Sequence, residues 1–226
     1  MMEGQFSALG TLALFDPVLS SPQPDWPAQV TLCGAALHDG APPDPLRMGE
    51  LQRFLDRGER PIVFALGSSA VHIARAFWPE AIAASRALGR RALLLTGKPL
   101  DFDLPEDVRA FDYLPYSRVF PHAAAIVHQA GIGTLSQALR AGRPQLLVPV
   151  SFDQPDNSHR AMKLGIARTL PFRKASAANL RRELTALLDD PRASAAASDL
   201  ASRLRGVDGA AVAAERVLSI LAASRA

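Results

Sequence analysis

Apolar positions along the chain fall into two regimes that meet near Pro61. Beyond it they gather in runs of strand length at 62–66, 92–96, 108–111, 124–128 and 145–149, with a weaker run at 167–170. Near-continuous apolar runs mark strands covered on both faces, as in a parallel sheet. Between and after these runs the apolar spacing becomes helical, which predicts helices over 70–88, 134–141, 155–164, 176–188, 193–204 and 210–222. Strands alternating with helices predict an α/β fold: a Rossmann-like, doubly wound parallel sheet of about six strands flanked by helices. Ligands of such sheets bind at the carboxyl ends of the strands, where the strand order reverses.

Before Pro61 the pattern is different. Residues 16–45 are dense in proline, as in Ser21-Pro22-Gln23-Pro24-Asp25-Trp26-Pro27 and Pro42-Pro43-Asp44-Pro45. Such runs disfavour helix and suit an extended tether, with Trp26 as its anchor. Leu46, Met48, Leu51, Phe54 and Leu55 then fit a short amphipathic helix over 46–56, closed by Gly58. The expected division is 1–59 as a tail with a proline-rich linker, and 60–226 as the principal domain.

Composition narrows the class of function. The 226 residues are 48% hydrophobic with a formal net charge of +3, the balance of a globular protein. No basic run of nucleic-acid-binding type appears, so no nucleic acid is expected. The lone Cys33 excludes an internal disulfide and a multi-cysteine metal site, and fits a reducing, cytoplasmic compartment. No apolar run reaches the ~20 residues of a membrane-spanning helix. Histidine spacing offers no metal motif, so neither metal nor cofactor is expected.

The chemistry concentrates where the fourth strand ends. After His128, Gly131-Ile132-Gly133 turns the chain into a helix near Thr134. Glycines let backbone N–H groups approach an anion, and the unpaired N–H groups of a helix start stabilise a phosphate. His128 and the Thr134 hydroxyl lie where they would add donors. The plainer reading is a tight turn with a Thr cap. A third reading takes Gly131, Gly133 and Ser136, with Asp153 about 20 residues on, as a dinucleotide fingerprint; the serine and the position in the fourth unit count against it. Downstream, Asp153 either meets a ligand or caps the following helix, with Pro155 in its first turn and Asp156 imitating a capping box. That cap explains the aspartate but not Gln154.

Taken together, His128, Gly131, Gly133, Thr134, Ala138-Leu139, Ala141-Gly142, Pro144, Asp153-Gln154 and Asn157 resemble the donor-binding signature of the UDP-glycosyltransferases with the GT-B fold. Bacterial sterol glucosyltransferase-like and rhamnosyltransferase-like members are the most similar in pattern. The likeness continues upstream through Phe64-Ala65-Leu66-Gly67-Ser68-Ser69 and Tyr113-Leu114-Pro115-Tyr116-Ser117, and covers most of 60–190. One departure is Ala130, where the family has the first of two adjacent glycines. Its methyl group narrows the approach to a phosphate unless φ stays negative.

This resemblance implies one half of a GT-B fold. Ser68, Ser69, His128, Gly131, Ile132, Gly133 and Thr134 would hold a diphosphate, with His128 stabilising the leaving group. Tyr113, Leu114, Pro115 and Gln137 would frame the nucleobase and ribose, and Asp153 and Gln154 the donor sugar. It further implies inverting hexosyl transfer from a UDP- or dTDP-hexose to a hydroxyl of a lipid or other small molecule, with peripheral membrane contact through a lipid acceptor. The acceptor pocket and general base would come from an N-terminal domain or a partner chain, leaving no catalytic base here. Residues 1–45 then read as the tail of that domain. A stand-alone sugar-nucleotide-binding or regulatory module is the alternative, and a dehydrogenase a distant third.

Overall fold

The alternation of side chains along buried strands decides how this chain is layered. Residues 6–40, 44–67 and 76–223 are described by the computed structural model, in two compact units: Met1–His38 with Leu204–Ala226, and Asp39–Arg203. The first unit contains a feature that the proline-dense pattern concealed. Strand β1 (Thr11–Ala13) pairs in parallel with β2 (Val30–Leu32), and between them the Phe15 and Trp26 rings meet edge to face at 6.1 Å. Both strands are three residues long and half-buried, too short to show a period.

The second unit opens with helix α1 (Pro45–Leu55), where Pro45 occupies the first turn and Asp44 accepts from the Leu46 N–H. Proline suits that position because a first-turn N–H has no helical partner. Next come β3 (Ile62–Ala65), α2 (Phe77–Ala87), β4 (Ala92–Leu95), β5 (Val108–Phe111) and a short α3 (Tyr116–Val119). The sheet continues with β6 (Ala125–His128), α4 (Ile132–Ala141), β7 (Gln145–Leu147), α5 (Gln154–Lys163) and β8 (Ala167–Thr169). Helices α6 (Ala177–Leu188) and α7 (Pro191–Arg203) complete the unit. All pairings are parallel, in the order β5-β4-β3-β6-β7-β8.

Successive residues of β3 point to opposite faces, as the pleat requires. Ile62 and Phe64 join Phe77, Trp78, Ala81, Leu180 and Leu184 on one side, while Val63 and Ala65 join Leu51, Phe54, Val119, Phe120 and Ala138 on the other. Helix α1 therefore belongs with the sheet. The observed division falls after His38, not after residue 59, because Leu51 and Phe54 are core residues. The stretch from Leu204 belongs to the first unit, including helix α8 (Gly209–Ala223). Among the described residues no helix is long and apolar enough to cross a membrane.

Strand order reverses between β3 and β6, the two central strands, which run side by side with Ala65 opposite His128. Their carboxyl ends form the crevice where a doubly wound sheet takes its ligand.

Candidate functional site

Two chain turns build this crevice, one after β6 and one after β7. The β6 turn is fixed from within. His128 is completely buried; its Nε2 lies 2.8 Å from Gln145 Oε1, and its Nδ1 accepts the Ala130 N–H at 3.1 Å. An accepting Nδ1 places the proton of the neutral ring on Nε2, which then donates to Gln145. Burial pushes this imidazole down to about 4, against a smaller opposing effect of the Gln145 hydrogen bond. Both nitrogens are thus engaged within the protein. The expected phosphate contact and leaving-group role of His128 do not fit this geometry, in which the ring positions the turn.

The turn then passes through Ala130 at φ 67°, the left-handed region that disfavours a side chain. The negative φ that would have made the methyl harmless is not adopted. Even so, Ala130 is fully buried, so its methyl faces the interior and leaves the crevice open. Asn157 Nδ2 donates to the Ala130 carbonyl at 2.9 Å, closing the turn from the α5 side.

Gly131 precedes α4 and supplies no side-chain cap, so the N–H groups of the first turn carry the positive end of the helix dipole uncovered. Of Ile132, Gly133 and Thr134, the glycine is informative. A Cβ on Gly133 would meet no atom of the described residues within 4 Å, yet glycine inside a helix costs about 1 kcal/mol relative to alanine. No packing among the described residues calls for it, whereas a close-approaching anion would. Thr134 is buried and hydrogen-bonded to Tyr116, whose hydroxyl burial pushes up from its ordinary value while that bond pulls it down.

Gln129 escaped the sequence reading. Only 5% exposed, it carries an Oε1 with no partner among the described residues. Its amide lies between the β3 and β6 turns: a Cβ on Gly67, at φ +68°, would overlap it, and one on Gly131 would stand 2.7 Å from Nε2. The available signal was an amide directly after a fully buried strand, where a hydrophobic residue would cost nothing.

The β7 turn is built differently. Gln154 Oε1 accepts the backbone N–H groups of Val150, at 2.8 Å, and Ser151, at 3.2 Å. Buried and committed through its carbonyl, Gln154 acts as the clamp of this turn. Asp153 occupies the N-cap position of α5 but makes no capping bond; its Oδ2 instead accepts from Asn157 Nδ2 at 2.7 Å. The turn's structure thus accounts for the glutamine carbonyl, while the aspartate is exposed and makes no cap. Just before them Phe152 stands at φ 57°.

The expected base-framing residues separate. Tyr113 is 45% exposed, whereas Leu114 is 1% exposed and packs in the core beneath β5, and Pro115 is buried. Leu114 therefore frames a ligand only through its backbone. Gln137 is also buried, its Nε2 donating to Asp39 Oδ1 at 3.3 Å. Ser68 and Ser69 lie outside the described residues. Among those described, no three His, Cys, Asp or Glu side chains gather as metal ligands would.

Comparison with known proteins settles the lineage. Residues 95–208, just over half of the chain, match the erythromycin biosynthesis protein CIII-like, C-terminal domain. The chain belongs to this family. As an erythromycin CIII-like C-terminal domain it is 40% identical over 211 residues to the O-mycaminosyltylonolide 6-deoxyallosyltransferase of Streptomyces fradiae, covering 89% of this chain and 46% of that protein. It is 35% identical over 215 residues to the vancomycin aglycone glucosyltransferase of Amycolatopsis orientalis, covering 90% and 48%. Among solved structures, the glycosyltransferase VinC in complex with dTDP superposes with a TM-score of 0.68 at 25% identity, over 93% of this chain and 52% of VinC. The glycotransferase of kitacinnamycin gives 0.74 at 25% identity, over 94% and 55%. The fold is that of one half of a GT-B glycosyltransferase, and the chain spans about half the length of these relatives.

Proposed function

We propose that this chain is the donor-binding half of an inverting glycosyltransferase, holding a UDP- or dTDP-hexose at the carboxyl ends of β3, β6 and β7. The observation that carries the proposal is Gly133, an open glycine in the uncovered first turn of α4 at the point of strand reversal. The diphosphate would lie on the N–H groups of Ile132, Gly133 and Thr134. Tyr113 would face the base, and the Asp153 carboxylate the hexose hydroxyls. VinC, solved with dTDP, and the transferase names of the relatives support this over a stand-alone binding module.

In the reaction an acceptor hydroxyl attacks the anomeric carbon, the C1–O bond to the diphosphate breaks, and the configuration inverts. Negative charge then grows on the departing diphosphate. Fixed N–H dipoles stabilise that charge without reorganising, which lowers the barrier. No resident metal or cofactor enters the proposed chemistry. A further domain or partner chain would supply the acceptor pocket and the general base. A cytoplasmic location, with peripheral membrane contact where the acceptor is a lipid, belongs to the same proposal.

Gly133→Ala tests it through two effects of opposite sign. The free protein should gain about 1 kcal/mol of stability from the better helix former, while affinity for UDP and dTDP should fall by about tenfold or more as the methyl meets the phosphate. Calorimetric titration and thermal unfolding read the two effects separately. Unchanged nucleotide affinity in the variant, or no binding of either nucleotide by the parent, sinks the proposal.

A further inference from the structure

Phe152 breaks two rules at once. Its backbone sits in the left-handed region, a conformation that costs a residue with a Cβ about 1 kcal/mol or more, and its ring is 87% exposed. Burial therefore does little to offset the strain. The turn that imposes this conformation is firmly held, since Gln154 Oε1 takes the Val150 and Ser151 N–H groups on one side and Asn157 holds Asp153 on the other. Its effect is to present an aromatic ring and, one residue later, a carboxylate whose Oδ1 has no partner among the described residues. The pair joins the β6 turn through Asn157, which bonds both Asp153 and the Ala130 carbonyl. With a diphosphate on that turn, the hexose bonded to it would extend toward the β7 turn.

We propose that Phe152 is a specificity-determining platform for the donor hexose, its ring covering the C–H face of the pyranose while Asp153 accepts a sugar hydroxyl. A pyranose is amphipathic, with axial C–H bonds on one face and hydroxyls at its edge. A flat apolar ring beside an acceptor oxygen matches that division. Bare nucleoside diphosphate has nothing to place on the ring. Phe152 therefore adds affinity for the sugar nucleotide alone, and the turn's conformation is maintained for the ligand. This inference rests on the donor-binding proposal above.

The experiment is titration of the chain and of Phe152→Ala with UDP-glucose and dTDP-glucose beside UDP and dTDP. Removal of the ring should weaken the sugar nucleotides by about three- to tenfold, the worth of one aromatic contact, and leave the bare diphosphates unchanged. Phe152→Trp should restore the preference, and the proton spectrum of the bound hexose should show upfield-shifted C–H signals that Phe152→Ala abolishes. Thermal unfolding of the variants checks their fold. If all four ligands bind but their affinities change together or not at all, or the hexose signals carry no shift, Phe152 is not the platform. If none of the four binds the parent chain, the donor-binding proposal falls and takes this inference with it.

Discussion

The turn after β6 and the turn after β7 receive the same task from the fold, to carry the chain from a buried parallel strand into a helix at the ligand end of the sheet. They solve it in opposite ways. In the first, side chains face inward: His128 and Ala130 are fully buried, Gln129 nearly so, and the crevice receives backbone N–H groups. In the second, a single buried side chain, Gln154, gathers the backbone N–H groups, and Phe152 and Asp153 face outward. On the proposed reading, backbone dipoles would recognise what all nucleoside diphosphates share, and side chains what distinguishes one sugar from another. Each turn also holds one non-glycine residue at positive φ, Ala130 and Phe152, the only two among the described residues. Strain of this kind concentrates where a surrounding structure over-determines the backbone.

If the β6 turn depends on its buried imidazole, acid should loosen it most. Native His128 resists protonation down to about 4 while the unfolded chain takes up its proton near 6.5. The stabilising contribution is therefore complete above pH 6.5 and lost as pH falls through 4, amounting to about 3 kcal/mol at pH 4. Denaturant unfolding at pH 7 and pH 4.5, compared between the parent and His128→Gln, isolates this effect from the carboxylates. An identical pH slope in the two proteins would show that the ring does not anchor the turn.

A smaller effect is expected where the two turns meet. Asn157→Ala removes both amide bonds and leaves the buried Ala130 carbonyl without its partner, a loss of about 2 kcal/mol. Both nucleotide and sugar recognition should weaken, measured as reduced affinity for UDP as well as for UDP-glucose. An effect on only one of the two ligands would mean that the turns are independent.

Ala130→Gly should do least. Relief of about 1 kcal/mol of left-handed strain is offset by the loss of about 0.8 kcal/mol of methyl burial and by the entropy of an added glycine. Melting temperature and UDP affinity should stay close to those of the parent. A marked gain in affinity would place the methyl in the crevice after all.

The sequence displayed the sheet because its strands are buried on both faces: runs such as Ile62-Val63-Phe64-Ala65 can hardly be anything else. It displayed the glycine turn for the same reason, since glycine is chosen for backbone geometry. What it hid depends on distance. The Asp39 partner of Gln137 lies 98 residues away. The Gln129 amide matters because Gly67, in the turn after another strand, leaves room for it. Leu114 sits beside the exposed Tyr113 in sequence, and only its packing in the core cluster with Phe111 and Val119 marks it as an inward residue. Strands β1 and β2 lack the length and the burial that make a pattern.

Asn157 spends its two amide hydrogens on two different turns, which makes it a thermodynamic coupler. A ligand that orders one turn lowers the entropic cost of ordering the other, so the phosphate and sugar halves of one donor should bind with positive cooperativity. In the proposed reaction the diphosphate product, having lost the hexose, would forfeit that coupling energy. Sugar transfer would in this way weaken the hold on what remains and favour its release.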